Sequence, residues 1–234
     1  MMTTFSMKRV NAIFVKDWKD LQRNSYVLFT LALPLFFAAW LGRIGADSAE
    51  MIAFPIVFAL VIAGAFVQAA MVAEEKEKNT LRGLLLSPAS VTEVFVGKSL
   101  LSAVSTLVVV VGCIWLAEFN VPSLPLFALS ILLGLIFFLA IGTLLGLLSR
   151  TVMETSIIGM PVMVIFGMSS MFKSMITNET ILTVLDYLPN ELLTKIWVGL
   201  ESGTAVGESF LFLVLWAVGA IAATVIVYRK RRMD

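Results

Sequence analysis

Six long apolar runs, separated by shorter polar segments, are the dominant pattern of this sequence. They cover residues 26–42, 51–73, 99–117, 124–148, 157–176 and 210–228, and the third could begin as early as residue 95. A helix needs about 20 apolar residues to cross the hydrocarbon core of a bilayer. The pattern therefore predicts six transmembrane helices, of which the first is the weakest because it is short and ends near Arg43.

Residues 8–21, ahead of the first run, form an amphipathic segment. Its apolar side chains recur at helical spacing, and most of its charged side chains lie elsewhere on the helix. The apolar positions are Val10, Ile13, Phe14, Trp18 and Leu21. This pattern predicts an interfacial helix that lies on the membrane with its apolar face down. The alternative is a plain cytoplasmic tail.

The polar segment between the fifth and sixth runs, residues 177–208, is too long for a loop without structure of its own. Pro189 and Asn190 divide it, and Asn190 is a good N-cap. Apolar residues then recur at helical spacing until Gly199 and Gly203: Leu192, Leu193, Ile196, Trp197 and Leu200. We expect two short helices that dip into the outer leaflet. The alternative is a lid on the surface.

Lysine and arginine are distributed unequally between alternate loops. If the N-terminus is cytoplasmic, only Arg43, Lys173 and Lys195 of the 17 basic residues lie outside, while the 16 acidic residues divide evenly. Cytoplasmic loops carry the excess of Lys and Arg. The distribution predicts a multi-pass protein of the cytoplasmic membrane with both termini in the cytoplasm, which requires an even number of spans.

Composition supports the membrane prediction and excludes several kinds of chemistry. The chain is 59% hydrophobic and 14% charged, whereas soluble domains average about 45–50% and about 25%. It has no histidine and a single cysteine, Cys113, in an apolar run. Ser-His and Cys-His nucleophiles are therefore excluded, and we expect no metal site. A net charge of +1 indicates no nucleic-acid partner.

The segment between the second and third runs, residues 74–90, is charged, then amphipathic, and then broken by a proline. Thr80 can cap a short helix whose Leu81, Leu84 and Leu85 share one face. By the predicted topology this helix lies on the cytoplasmic side. Its leucines need a partner, which is either the membrane interface or another protein.

This segment resembles the ABC-2 family of transporter permeases, which carry an acidic pair, a Gly-Thr step, a leucine-rich short helix and a Ser/Thr-Pro at this place. The matching residues are Glu75, Glu77, Thr80, Leu81, Leu84, Leu85, Ser87 and Pro88. Gly97 and Lys98 also resemble the family. Asn79 stands where glycine is usual, and Arg82 where an acidic residue is common.

The resemblance implies a permease that forms a dimer, with itself or with a similar chain, and docks two copies of an ABC ATPase on its cytoplasmic face. The short helix would then be the coupling helix, and Glu75, Glu77, Thr80, Leu81, Leu84, Leu85 and Pro88 would form the docking site. The chain has no P-loop of the form GxxxxGK[ST]. It is therefore no enzyme by itself, and ATP and Mg²⁺ would act through the partner.

Three features inside the apolar runs are candidates for packing or for a substrate path. Gly142 and Gly146 form a GxxxG motif, with Gly134 two turns earlier, and packing within one subunit is favoured over a dimer seam. Five methionines fall within an arc of roughly 140° on the fifth helix: Met160, Met163, Met168, Met171 and Met175. Such an adaptable face suits either apolar substrates or ordinary packing. Gln68 either bonds across helices or lines a path.

Together these patterns predict an all-α integral membrane protein with one domain, residues 1–234. Its parts are the interfacial helix (1–24), spans 1 and 2 (26–73), the coupling segment (74–94), spans 3 to 5 (95–176), the outer loop (177–208) and span 6 with a basic tail (209–234). The predicted function is ATP-driven export of a hydrophobic or amphipathic peptide, lipid or drug by alternating access. The alternatives are an ATP-independent channel or secondary transporter, and a non-transporting sensor or assembly subunit.

Overall fold

The computed structural model describes residues 5–46, 48–77 and 91–231, and within these ranges the chain is helical with no strand. The helices, in chain order, are α1 (Met7–Arg23), α2 (Ser25–Arg43), α3 (Ala49–Glu77), α4 (Val91–Leu116), α5 (Leu124–Leu148), α6 (Val152–Phe172), α7 (Glu179–Asp186), α8 (Pro189–Ser202) and α9 (Gly207–Arg231). The middle of α3, Leu60–Val67, has the wider π-helical turn, and a 3-10 turn, Lys173–Met175, follows α6.

Five of the described helices are each long and apolar enough to cross a membrane: α3, α4, α5, α6 and α9. Helices α1 and α2 meet at a bend of 77°, and together they meet the same criterion as one broken span. The six predicted runs therefore correspond to α2, α3, α4, α5, α6 and α9. The all-helical membrane fold is confirmed.

The fifth span has different limits from those predicted. It occupies Val152–Phe172 rather than 157–176, whereas the apolar part of α4 that could cross a membrane, Val96–Leu116, agrees with the predicted third span. In the fifth, the hydroxyl of Thr151 accepts a hydrogen bond from the backbone N–H of Glu154 at 3.1 Å. This N-cap starts the helix at polar residues that an apolar run does not include.

Helix α3 lies at the centre of the bundle, and 89% of its most apolar window is buried by the surrounding helices. Helix α5 approaches it closely. A Cβ atom on Gly142 would lie 2.3 Å from the carbonyl oxygen of Ala65, and one on Gly146 would lie 2.6 Å from Val72 Cβ. Small residues permit this approach in a bilayer. The predicted packing of the GxxxG motif within one subunit is confirmed.

Helix α8 is part of the bundle core and is not a lid on the surface. Leu192, Leu193, Ile196 and Trp197 are fully buried among α3, α5 and α9, and Trp197 Nε1 donates to Ser130 Oγ at 2.7 Å. Helix α7, by contrast, has no buried residue. Both helices are present, as the sequence pattern predicts, but only α8 packs into the core of the bundle.

The predicted N-cap of α8 is wrong. Leu188 is the cap and Pro189 is the first residue of the helix, which leaves Asn190 inside the first turn. Proline suits this position because its fixed φ is already helical and its missing N–H is not needed there. The predicted stop is correct, since Gly203 caps the C-terminus with φ of 72°, a left-handed conformation that glycine adopts readily.

Helix α1 buries its apolar face against protein. Val10, Ile13 and Leu21 are buried, and α1 packs on α4. A Cβ atom on Gly97 would lie 2.9 Å from Ile13 Cγ2, so glycine permits the contact. Most of the face that was predicted to lie on lipid is therefore occupied by α4, and the interfacial location of α1 stays a prediction.

Candidate functional site

The strongest concentration of buried charge lies at one end of the bundle. We call this the basal end: α3 and α5 end there, and α4 and α6 begin there. Lys98 is 2% exposed, and its Nζ lies 3.0 Å from Glu75 Oε1 and 3.1 Å from Asp17 Oδ2. Lys16 Nζ contacts the same two carboxylates, at 2.7 Å and 3.3 Å. The four side chains join α1, α3 and α4, and we call them the basal ion cluster.

A second ion pair fastens the start of α1 to the start of α4. The guanidinium of Arg9 binds the buried carboxylate of Glu93 through Nε at 2.9 Å and Nη2 at 2.7 Å. The hydrogen bond to Glu93 raises the pKa of Arg9. Burial by itself would lower the pKa of Lys16, but its bonds to Glu75 and Asp17 outweigh burial and raise it. Both cations therefore stay charged at neutral pH.

The basal ion cluster lines a partly open cavity of about 390 Å³, to which α1, α2, α3, α4 and α6 all contribute side chains. Charged side chains alternate there with apolar ones. The lining residues include Asp17, Asp20, Glu74, Glu75, Glu77, Lys16 and Lys98, with Leu21, Val27, Met71 and Val152.

Of the predicted docking residues, the structure describes only Glu75 and Glu77. Glu75 is buried in the basal ion cluster, whereas Glu77 is exposed and its Oε2 accepts a hydrogen bond from the backbone N–H of Val152 at 3.0 Å. The predicted coupling helix and its Thr80, Leu81, Leu84, Leu85 and Pro88 lie outside the described residues. Both acids therefore lie at the basal end, but Glu75 binds the lysines of the basal ion cluster and Glu77 binds the start of α6.

Gln68 lies in the core of the bundle and connects three helices. Its Nε2 donates to Ser99 Oγ at 3.2 Å and to Thr143 Oγ1 at 3.0 Å, and its Oε1 accepts from Ser102 Oγ at 2.7 Å. The side chain is fully buried. The amide therefore joins α3, α4 and α5 in this conformation. This agrees with the first of its two predicted roles, hydrogen bonding across helices.

The methionines of α6 face away from the core to different degrees. Met160 and Met171 are 64% and 55% exposed, while Met163 packs partly against the core. Only 22% of the most apolar stretch of α6 is buried by the rest of the protein. The predicted path residues Gln68, Met160, Met163 and Met171 therefore do not form one cluster, because the amide is internal and the methionines are peripheral.

A polar cluster at the opposite, apical end was missed by the sequence analysis. The buried carboxylate of Glu191, in α8, accepts hydrogen bonds from Lys173 Nζ at 2.9 Å and from Asn190 Nδ2 at 3.0 Å. Lys173 also pairs with Asp186. Burial would raise the pKa of Asp186, but the bonds with Lys173 and Lys195 lower it. Glu191 two residues after a proline gave no signal, because Ser170 and Lys173, which bind it, lie about 20 residues earlier, at the end of α6 and in the turn that follows.

A bundle of membrane-length helices around a buried α3, with charge confined to its ends, defines a multi-pass helical membrane protein. The profile of the ABC-2 family transporter proteins matches residues 45–228. The chain belongs to this family. No curated protein matches the sequence. Membership makes the chain the transmembrane subunit of a transporter, without an ATPase site of its own, and implies association with an ABC ATPase.

Proposed function

We propose that this chain is the permease of an ATP-driven exporter, with the basal end in the cytoplasm and residues 78–90 as the docking segment for a separate ATPase chain. The observation that supports the proposal most directly is the pair Glu75 and Lys98. Glu75 precedes the segment and Lys98 follows it, and their side chains are 3.0 Å apart. The two helices that flank the segment are therefore joined to each other and to α1.

A docking segment on a fixed base can pass force into the bundle. In this proposal Leu81, Leu84 and Leu85 enter a groove of the ATPase, with i, i+3 and i+4 anchors. Burying one leucine is worth roughly 1.5–3 kcal/mol, so the three leucines supply most of the docking energy. In this proposal Glu75 does not contact the ATPase, since its carboxylate already binds Lys98 and Lys16. It would contribute to docking by holding the end of α3, from which the segment continues.

The proposed substrate is hydrophobic or amphipathic: a peptide, a lipid or a drug. In the described parts of the six spans the charged side chains lie near the helix ends, which does not suit an ion or a sugar. Two permease subunits would enclose the path, and the exposed methionines Met160 and Met171 offer it an adaptable apolar wall. In this proposal the substrate would enter from the cytoplasmic side through the basal cavity, which both charged and apolar side chains line.

Two other functions remain as competing outcomes. An ATP-independent channel or secondary transporter would have no bound ATPase and usually uses charged groups in mid-membrane. A sensor or assembly subunit could bind an ATPase but would show no substrate-stimulated hydrolysis. The match to the ABC-2 transporter family favours an ABC-type permease over both.

The test is co-purification from native membranes of the tagged chain with its ATPase. We expect the wild-type chain to retain an ATPase and Leu81→Asp with Leu85→Asp to lose it, with an unchanged size-exclusion profile. Leu124→Asp is the matched control, because Leu124 is exposed at the first residue of α5, at the apical end. An ATPase that stays at wild-type stoichiometry on the double variant would contradict docking through this helix.

A further inference from the structure

Two adjacent residues of opposite charge at the end of α3 hold the ends of two other helices. The Nζ of Lys76 donates to the carbonyl oxygens of Leu147, at 2.8 Å, and Gly146, at 3.4 Å, and also to that of Ser149. These carbonyls belong to the last turn and the cap of α5. The final carbonyls of a helix have no partner within the helix, and its C-terminus carries partial negative charge. A lysine at this position donates hydrogen bonds to the unpaired carbonyls, and its positive charge is attracted by the partial negative charge.

Glu77 makes the complementary contact one residue later. Its Oε2 accepts the backbone N–H of Val152, the first residue of α6, at 3.0 Å. The N-terminus of a helix carries partial positive charge and unpaired N–H groups, so a carboxylate is favoured there. The signs are therefore matched twice: the cation of α3 meets the C-terminus of α5, and the anion of α3 meets the N-terminus of α6.

The turn between α5 and α6 consists of Ser149, Arg150 and Thr151, and it is held from both sides. Thr151 Oγ1 accepts from the N–H of Glu154, while Glu154 Oε2 accepts from the N–H of Arg150 at 2.6 Å. The turn is thus a closed local unit, and Lys76 and Glu77 attach it to α3. The next residue after Glu77 begins the segment 78–90.

We propose that Lys76 and Glu77 are positioning residues that make the ends of α3, α5 and α6 move as one body. On the proposed function, on which this inference rests, a displacement of the docking segment then reaches α5 and α6 at once. Helix α6 is held by few buried contacts and carries the methionine face. We call Lys76 and Glu77, with their contacts to α5 and α6, the clamp. In this proposal the clamp transmits movement from the ATPase to α6, the helix that carries the candidate substrate-binding methionines.

Exchanging the two charges tests the clamp without changing net charge or composition. In Lys76→Glu with Glu77→Lys, an anion faces the C-terminus of α5 and a cation faces the N-terminus of α6, so both dipole interactions reverse sign. Lys76→Arg with Glu77→Asp keeps both signs and is the matched control. The first measurement is amide hydrogen exchange of residues 149–156 in the purified chain in lipid nanodiscs, which needs no ATPase.

The second measurement follows transmission in the ATPase complex. A cysteine replacing Met153, which is 76% exposed in the first turn of α6, reports ATP-dependent movement through its reactivity with a thiol reagent, in a Cys113→Ala background. Co-purified ATPase and its basal hydrolysis are measured in the same preparation. The amount of co-purified ATPase and its basal hydrolysis test the proposed function independently of the clamp.

We expect the charge exchange to speed amide exchange in residues 149–156 about tenfold, and to abolish most of the ATP-dependent change in reactivity while the ATPase stays bound. The conservative pair should restore both properties. Amide exchange that is equal in the two variants would overturn the clamp, whether or not an ATPase is found. A full ATP-dependent change in the exchanged variant, with ATPase bound, would overturn transmission through it. Absence of any ATPase on the wild-type chain would instead refute the proposed function.

Discussion

The ammonium of Lys98 and the carboxylate of Glu75 form a buried ion pair with 3.0 Å between Nζ and Oε1. The first lies near the start of α4 and the second near the end of α3, so the pair joins the two helices that flank the segment between them. Asp17 of α1 binds the same ammonium. The Lys98 ammonium therefore joins three helices.

Removing that cation should be severely destabilising. Lys98→Met leaves Asp17 and Glu75 buried with Lys16 as their remaining common cation. Breaking a buried pair from one side typically costs about 3–5 kcal/mol. We expect a loss of that size in the free energy of unfolding, measured by SDS titration in mixed micelles. Lys19→Met, at an exposed position of α1, is the control, with an expected change within about 0.5 kcal/mol. Equal stability of the two variants would contradict the role of the cluster.

The Gln68 network can be tested with two serines one turn apart on α4. Ser102 Oγ donates to Gln68 Oε1, whereas Ser105 Oγ has no hydrogen-bond partner in the described part of the chain. Hydrogen bonds between membrane helices average about 0.6 kcal/mol and reach about 1.7 kcal/mol. Ser102→Ala should therefore lower the free energy of unfolding within this range, and Ser105→Ala should leave it unchanged. The prediction fails if the two losses are the same.

The contact of α5 with α3 predicts which glycines tolerate a side chain. Gly142→Val places atoms against the backbone of Ala65, and overpacking typically costs about 1–3 kcal/mol. Gly219→Val is the control, because nothing lies within 4 Å of a Cβ atom there. Unfolding and size-exclusion profiles should show a destabilised protomer for the first variant only. Equal unfolding of the two variants would contradict a close contact between Gly142 and Ala65.

Orientation can be measured with single cysteines in a Cys113→Ala background. Arg150 and Ser202 are both exposed, at the basal and apical ends respectively. With the basal end in the cytoplasm, an impermeant thiol reagent should label Ser202→Cys in intact cells and should reach Arg150→Cys only after the membrane is opened. Labelling of Arg150→Cys from outside would reverse the topology.

The methionine face predicts a functional difference between two sides of α6. Met163→Ala with Met171→Ala removes two side chains of the face, while Ile158→Ala with Ile165→Ala removes two exposed side chains away from it. If the face contacts substrate, only the first pair should change efflux of an amphipathic fluorescent dye and its stimulation of ATP hydrolysis. Dimer yield should not change. Equal transport by both variants would assign the methionines to ordinary packing.

The five helices that are each long and apolar enough to cross a membrane could be predicted in order, because each depends on local sequence. A run of about 20 apolar residues is sufficient to specify a membrane helix, and Lys and Arg in the loops carry the orientation signal. Helix α8 and its stop at Gly203 were equally local. The exact start of α6 could not be predicted from apolarity, because polar side chains such as Glu154, Thr155 and Ser156 occupy its first turns.

Only the tertiary structure decided which charges meet. Asp17, Glu75 and Lys98 are separated by as many as 81 residues, and their pairing follows from how α1, α3 and α4 pack. The sequence marked Glu75 as a docking acid by resemblance, whereas the fold buries it. Lys76 and Glu77 belong to a run of alternating charge that is typical of a solvated loop. Their contacts with the ends of α5 and α6 depend on where those ends lie in space.

The sequence by itself therefore determined that the chain is a helical membrane protein, since hydrophobic length is a property of consecutive residues. Which face of a helix meets another helix depends on close packing between distant segments. The apolar face of α1 predicted to lie on lipid packs largely on α4, and an apolar α8 that could lie on the surface is buried beside α3. Lipid and protein interior are equally apolar, so hydrophobicity cannot distinguish them. That choice was made by shape, through glycines such as Gly97 and Gly142 that permit the contacts.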